Sequence, residues 1–167
     1  MANSCFRPPN KFDHKGINGH HLLMAGSKGK MGAAVLAAQA ALRTGLGKLS
    51  ILTPQCGVEI LQNTIPEAMV ETNTGKYCLS KYYGLKYDTV SLGPGLGTDS
   101  ETKDFLETFF TENNAQMVID ADAINLIAAH PEWIDKLPKN TILPPPIPKS
   151  LKDWLGLGKT TKRNWNA

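Results

Sequence analysis

"HLLMAGSKGKMGAAVLAAQAALRTGLGKLSILTP", residues 21–54, decides the fold. It opens on an apolar run, HLLMAG (21–26), short enough for a buried strand and closed by glycine. GAAVLAAQAALRTG (32–45) follows. Alanine and leucine favour a helix there, the interior lacks further Gly and Pro, and Gly45 supplies a C-terminal stop. Its small side chains predict close packing against a sheet. KLSILTP (48–54) is a second strand, stopped by Pro54. Strand, helix and strand in about 30 residues make a βαβ unit, in which the strands are parallel and the crossover is right-handed.

The alternation continues outward from that unit. VEILQNT (58–64) reads as helical and EAMVET (67–72) as extended. YDTVSLG (87–93) is a strand that runs into GPGLG (93–97). TDSETKDFLETFF (98–110) begins with Thr98-x-x-Glu101, a capping-box pattern, so a helix is predicted from that point. AQMVIDADA (115–123) is a strand ending in an acidic turn, INLIAAH (124–130) a short helix, and NTIL (140–143) one more strand. Strands alternating with helices predict an α/β, doubly wound sheet with helices on both faces.

A chain of 167 residues is long enough for one domain with a substantial core. Hydrophobic residues at 41% and charged residues at 20% match an ordinary globular protein. A net charge of +3 argues against a strongly basic nucleic-acid binder. No stretch approaches the roughly 18 apolar residues of a membrane span, and MANSCFRPPNKFDHKG has no signal-peptide core. Cys5, Cys56 and Cys78 are odd in number and widely spaced. They fit a reducing, cytoplasmic setting better than a disulfide scaffold, and they show no metal spacing.

Three motifs fall at predicted strand ends. AGSKGKMGAA (25–34) resembles a phosphate cradle, but Lys30 is followed by Met31 and the spacing from Gly26 is too short for a Walker A loop. Backbone N–H groups and the helix dipole still favour an anion there, against the plainer reading of a turn that lets helix and strand pack. GPGLG occupies the same position after another strand, where glycines let backbone approach a ligand. In open α/β sheets the crevice outside such strand ends is where ligands bind. IDADA (119–123) puts Asp120 and Asp122 at a third strand end. Helix capping is the expectation for them, with hydroxyl orientation or Mg²⁺ through water as the alternatives. HKGINGHH (14–21) offers Lys15 to a phosphate, or else is a solvated entry loop turning at Gly16 and Gly19.

Taken in order, LLMAGSKGKMGAAVLAAQAALRTGLG, IPEAM, GPGLGTD and VIDADAINLIA resemble the NAD(P)H-hydrate dehydratase family, from about Lys11 to Leu143. The resemblance implies a ribokinase-like three-layer fold of which this is the N-terminal part. It implies nucleotide-dependent dehydration of the S-epimer of NAD(P)H hydrate back to NAD(P)H, a repair reaction. The ring hydroxyl is a poor leaving group, and coupling to nucleotide phosphate makes it a good one. ADP or ATP is the implied co-substrate, with Mg²⁺ as a candidate companion ion. A homo-oligomer, tetrameric in the family, is implied, with no nucleic-acid or membrane partner. Ala33, Ala34, Gly95 and Gly97 are the implied substrate-binding residues.

The sequence also departs from the family. No T-P-H-P-x-E-F motif follows the last predicted strand, and the G-T-G-D turn that carries the family's catalytic aspartate has no match. No residue here is therefore assigned a catalytic role, and none is assigned to a metal. Domain boundaries follow: 1–143 is the dehydratase-like part, and 144–167 is read as an out-of-frame or non-native tail. Codons permitted for PIPKSLKDWLG (146–156), read from one base before the Ile147 codon, spell H-P-K-E-F-E-R-L-V-G. A genuine basic, proline-led tail is the alternative. A sugar or vitamin kinase of the same superfamily, and a non-catalytic fragment, remain the competing functional readings.

Overall fold

A computed structural model describes residues 19–72, 75–80, 84 and 87–144. Cys5, Lys15, Gly16 and all but Pro144 of the 144–167 tail lie outside them. Nine main elements follow in chain order among the described residues. These are β1 (His20–Met24), α1 (Met31–Arg43), β2 (Lys48–Thr53), α2 (Val58–Thr64), β3 (Met69–Thr72), β4 (Thr89–Leu92), α3 (Ser100–Glu112), β5 (Gln116–Ile119) and α4 (Ala121–Ala129).

The five strands form one sheet in the order β3-β2-β1-β4-β5, and every pair is parallel. β1 is central: Leu23 sits opposite Ile51 of β2 on one side and Ser91 of β4 on the other. The chain first winds outward from β1 to β3, then returns to the far side of β1 and winds the other way. Right-handed crossovers that run in opposite directions place their helices on opposite faces. The two cores show this division. Leu23, Ala25, Leu49 and Ile51 pack with Met31, Ala34 and Ala38 of α1 and Leu61 of α2. Leu22, Met24, Val90 and Leu92 pack with Phe105, Phe109 and Phe110 of α3 and Ile124 and Ile127 of α4. Successive residues of β1 thus feed opposite cores, as the period of a strand requires, and burial on both faces explains why the run is apolar without alternation.

α1 approaches the sheet closely because Ala34 and Ala38 are fully buried. It ends where the sequence predicts: Thr44 is the C-cap, and Gly45 follows at φ +87°. On the other face the turn Pro131–Lys136 brings Trp133, fully buried, to a ring-centroid distance of 5.7 Å from Phe110.

Two local expectations fail. NTIL does not form a strand; only Ile142 bridges to Val118, through N–H donation from Ile142 to Met117 and from Ile119 to Ile142. Thr98-x-x-Glu101 does not form a capping box. Asp99 occupies the N-cap, with no side-chain cap bond, and Glu101 instead accepts from the Cys78 thiol.

Candidate functional site

In a sheet of this order the winding direction reverses between β1 and β4, and the crevice beyond their carboxyl ends is the natural ligand site. Both glycine loops occupy it. Residues 25–30 follow β1, and residues 93–97 follow β4. Gly26 adopts φ +86°, a conformation that L side chains rarely take, and this favours glycine at the turn between β1 and α1.

The two loops are bonded to each other. Gly26 N–H donates to the Pro94 carbonyl at 3.0 Å. The Ser27 hydroxyl, on a buried side chain, donates to the Gly95 carbonyl at 2.8 Å. Gly95, at φ +67°, packs so tightly that a Cβ would lie 2.7 Å from the Lys30 carbonyl and 3.0 Å from Ala33 Cβ. Its lack of a side chain thus serves the joining of the loops.

The acidic turn joins the same assembly. Asp120 sits at the N-cap of α4, exposed and without a side-chain cap bond. Asp122 does not cap either. Its Oδ2 accepts the Gly97 N–H at 2.9 Å and the Lys30 ammonium at 3.0 Å. Capping therefore gives way, for Asp122, to a tether between loops. A further segment runs alongside: Gln55 N–H donates to the Gly75 carbonyl, Cys56 N–H to that of Lys76, and Lys28 N–H to that of Tyr77.

Two open cavities flank Lys30. One, of about 440 Å³, is lined by Gly29, Lys30, Gly32, Ala33, Gly95 and Asp122. The other, of about 400 Å³, includes Ser27, Lys28, Lys30, Tyr77, Cys78 and Gly97. Volumes of this size match small-ligand sites. Among the residues the sequence singles out, Ala33 and Gly95 lie against each other in the lining of the first cavity. Gly97 is buried and borders the second, and Ala34 points into the core. In the second cavity, burial and the neighbouring Glu101 carboxylate hold the Cys78 thiol above its ordinary value. It is protonated near neutrality and not poised as a nucleophile.

His20 and His21 lie at the opposite, amino end of β1 and take no part. His20 Nε2 contacts the Ser50 hydroxyl at 3.0 Å, while the His21 ring nitrogens meet Thr89 and Ser91 hydroxyls, each at 2.7 Å. The pairings of Ser27, Lys30 and the Tyr77 segment escape sequence reasoning, because the partners are distant in the chain and carry no local signature.

Fold and crevice together define a ribokinase-like α/β domain. A ribokinase-like superfamily protein from Enterococcus faecalis aligns with a TM-score of 0.64 at 21% identity, over 74% of this chain and 44% of that one. The sequence model of the NAD(P)H-hydrate dehydratase family, also termed Carb_kinase, matches residues 21–155, running past Leu143. The chain belongs to that family. A bifunctional NAD(P)H-hydrate repair enzyme of Methanocaldococcus jannaschii is 41% identical over 122 residues, 68% of this chain and 24% of the relative. An ADP-dependent (S)-NAD(P)H-hydrate dehydratase of Listeria monocytogenes is 32% identical over 117 residues, 69% of this chain and 42% of the relative. An ADP/ATP-dependent NAD(P)H-hydrate dehydratase from Bacillus subtilis, co-crystallized with ATP/Mg²⁺, superposes with a TM-score of 0.62 at 28% identity. That alignment covers 72% of this chain and 43% of that structure. The chain thus spans less than half the length of these relatives.

Proposed function

We propose that this chain provides the dinucleotide-binding wall of an ADP- or ATP-dependent (S)-NAD(P)H-hydrate dehydratase. The observation that carries the reading is the joined pair of glycine loops at the β1/β4 reversal, with Ala33 and Gly95 lining one cavity. Smooth, side-chain-poor walls admit the flat ring and ribose of a dinucleotide, and the start of α1 favours its phosphates. Ala34 and Gly97 support this wall from behind, by packing α1 and by holding the second loop to Asp122.

The catalytic base and the nucleotide pocket do not come from the described residues in this reading. Positioning by the crevice contributes to catalysis, but charge development in elimination also needs an acid–base group and anion-stabilising donors. The purified chain is therefore expected to bind NADPH and its hydrate without restoring NADPH absorbance when ADP or ATP is added. The shifted-frame reading of the tail accompanies this proposal, and sequencing the gene through the codons for Pro144–Pro146 tests it.

Gly32 offers the cleanest binding test. It lines the crevice, it is exposed, and a Cβ there meets nothing within 4 Å. Gly32→Leu should obstruct the crevice while leaving the melting temperature unchanged or slightly raised, since leucine outranks glycine in a helix. Undiminished NADPH affinity in this folded variant removes the Ala33/Gly95 cavity from the site.

A further inference from the structure

We infer that Asp122 is a positioning residue for this crevice, and that the ammonium it holds, Lys30, binds a phosphate of the ligand. The inference rests on the dinucleotide reading above and names the group that would recognise the anionic part of that ligand.

A single carboxylate oxygen takes both bonds. Asp122 Oδ2 accepts the Gly97 N–H at 2.9 Å and Lys30 Nζ at 3.0 Å, and these partners belong to the two different glycine loops. The carboxylate stands in the first turn of α4, where the helix dipole favours negative charge. Exposure divides the pair unequally: the Asp122 side chain is 22% exposed and that of Lys30 50%. One partner is fixed and shielded; the other is on a long stem at the water's edge.

Lys30 also borders both cavities. Among the described residues that line the Ala33/Gly95 cavity it carries the only positive charge, and Asp122 the only negative one. In the second cavity Lys28 adds a cation, its Nζ 4.4 Å from the Tyr77 ring centroid, with Lys76 at 5.2 Å from the same ring. Asp99 is the carboxylate lining that side. A lysine ammonium has three donors and rotates on a flexible stem. It can keep one donor on Asp122 and turn the others to a phosphate at the junction of the cavities. Asp122 then does two separable things: it ties down the Gly97 loop, and it holds Lys30 against free rotation while lowering the local positive charge.

Separability makes the test specific. Asp122→Asn keeps an oxygen for the Gly97 N–H but removes the charge; Asp122→Ala removes both. The probes are NADPH and, separately, inorganic pyrophosphate, titrated against the whole chain at two salt concentrations, with melting temperature recorded for each variant. Lys30→Gln should weaken NADPH and pyrophosphate binding about tenfold and flatten the salt dependence, as expected for a lost charge-assisted bond. Asp122→Asn should bind pyrophosphate at least as tightly as the unaltered chain. Asp122→Ala should bind NADPH about tenfold more weakly than Asp122→Asn, with faster amide exchange at Gly97 in the Ala variant alone.

Equal NADPH affinities for the Asn and Ala variants, or Gly97 exchange unchanged in both, overturn the positioning role. Unchanged pyrophosphate and NADPH affinity in Lys30→Gln overturns the phosphate role. Absence of NADPH binding by the unaltered chain overturns the dinucleotide reading instead; Gly97 exchange and pyrophosphate titration then still decide the roles of Asp122 and Lys30.

Discussion

Gly93 and Asp120 are packed backbone against backbone: a Cβ on Gly93 would lie 1.8 Å from the Asp120 carbonyl oxygen. β4 and β5 therefore leave the sheet in contact, and Gly93 holds φ +128° to do so. Gly93→Ala must both clash with main chain and adopt a conformation that L residues avoid. We expect a loss of about 3 kcal/mol or more in urea unfolding, from backbone strain and forced displacement together. A variant melting within a few degrees of the unaltered chain would refute this packing.

Ala121 provides the opposite case. It starts α4 at φ +48°, in the left-handed region that costs a non-glycine residue roughly 1–2 kcal/mol. Ala121→Gly removes that cost and adds unfolded-chain entropy of about 0.4–1 kcal/mol, so the change should be neutral or slightly stabilising. Ala40→Gly, on the exposed face within α1, should instead lose about 1 kcal/mol. Parallel denaturation of the two variants measures the contrast.

His21 makes stability depend on pH. Burial, then the neighbouring His20, lowers its proton affinity below the ordinary value of 6.5. Below pH 6.5 the unfolded chain therefore takes up a proton that the folded chain refuses. Its contribution is complete above that pH and is lost as the pH falls through the depressed folded-state value. Urea unfolding at about pH 7.5 and about pH 5.5 should show lower stability in acid, and His21→Gln should lessen the difference. An identical difference in that variant would assign the effect to other groups.

Ile142 and Leu143 are exposed beside β5, which they cover with a single bridge. Apolar residues at a poorly covered sheet margin promote association. Ile142→Lys should raise soluble yield without lowering the melting temperature, because the backbone bonds to Met117 and Ile119 need no particular side chain. Unchanged aggregation by light scattering would show that this margin is not where copies meet.

Legibility differed from residue to residue for physical reasons. Strand β1 and helix α1 could be read because burial on two faces, alanine-rich packing and a glycine stop are properties of consecutive residues. NTIL has the composition of a strand, yet only Ile142 reaches Val118; composition does not report whether a pairing partner lies alongside. Thr98 looked like a cap, but its neighbour Asp99 holds the N-cap backbone geometry. Asp122 was misjudged because its partners are 25 and 92 positions away, a relationship made by the fold and absent from any local window. Ala33 and Ala34 are alike in sequence, and the roughly 100° between neighbours on a helix leaves the first half-buried and the second fully buried.

The strand order has one more consequence. The crevice is rooted on β1 and β4, which each have a neighbour on both sides, whereas β3 and β5 are the edges of the sheet among the described residues. β5 reaches the same crevice only through the turn that follows it, where Asp122 holds Lys30 and the Gly97 loop. Substitutions at the outer strands are therefore expected to alter association before they disturb the crevice, and substitutions in the joined loops the reverse.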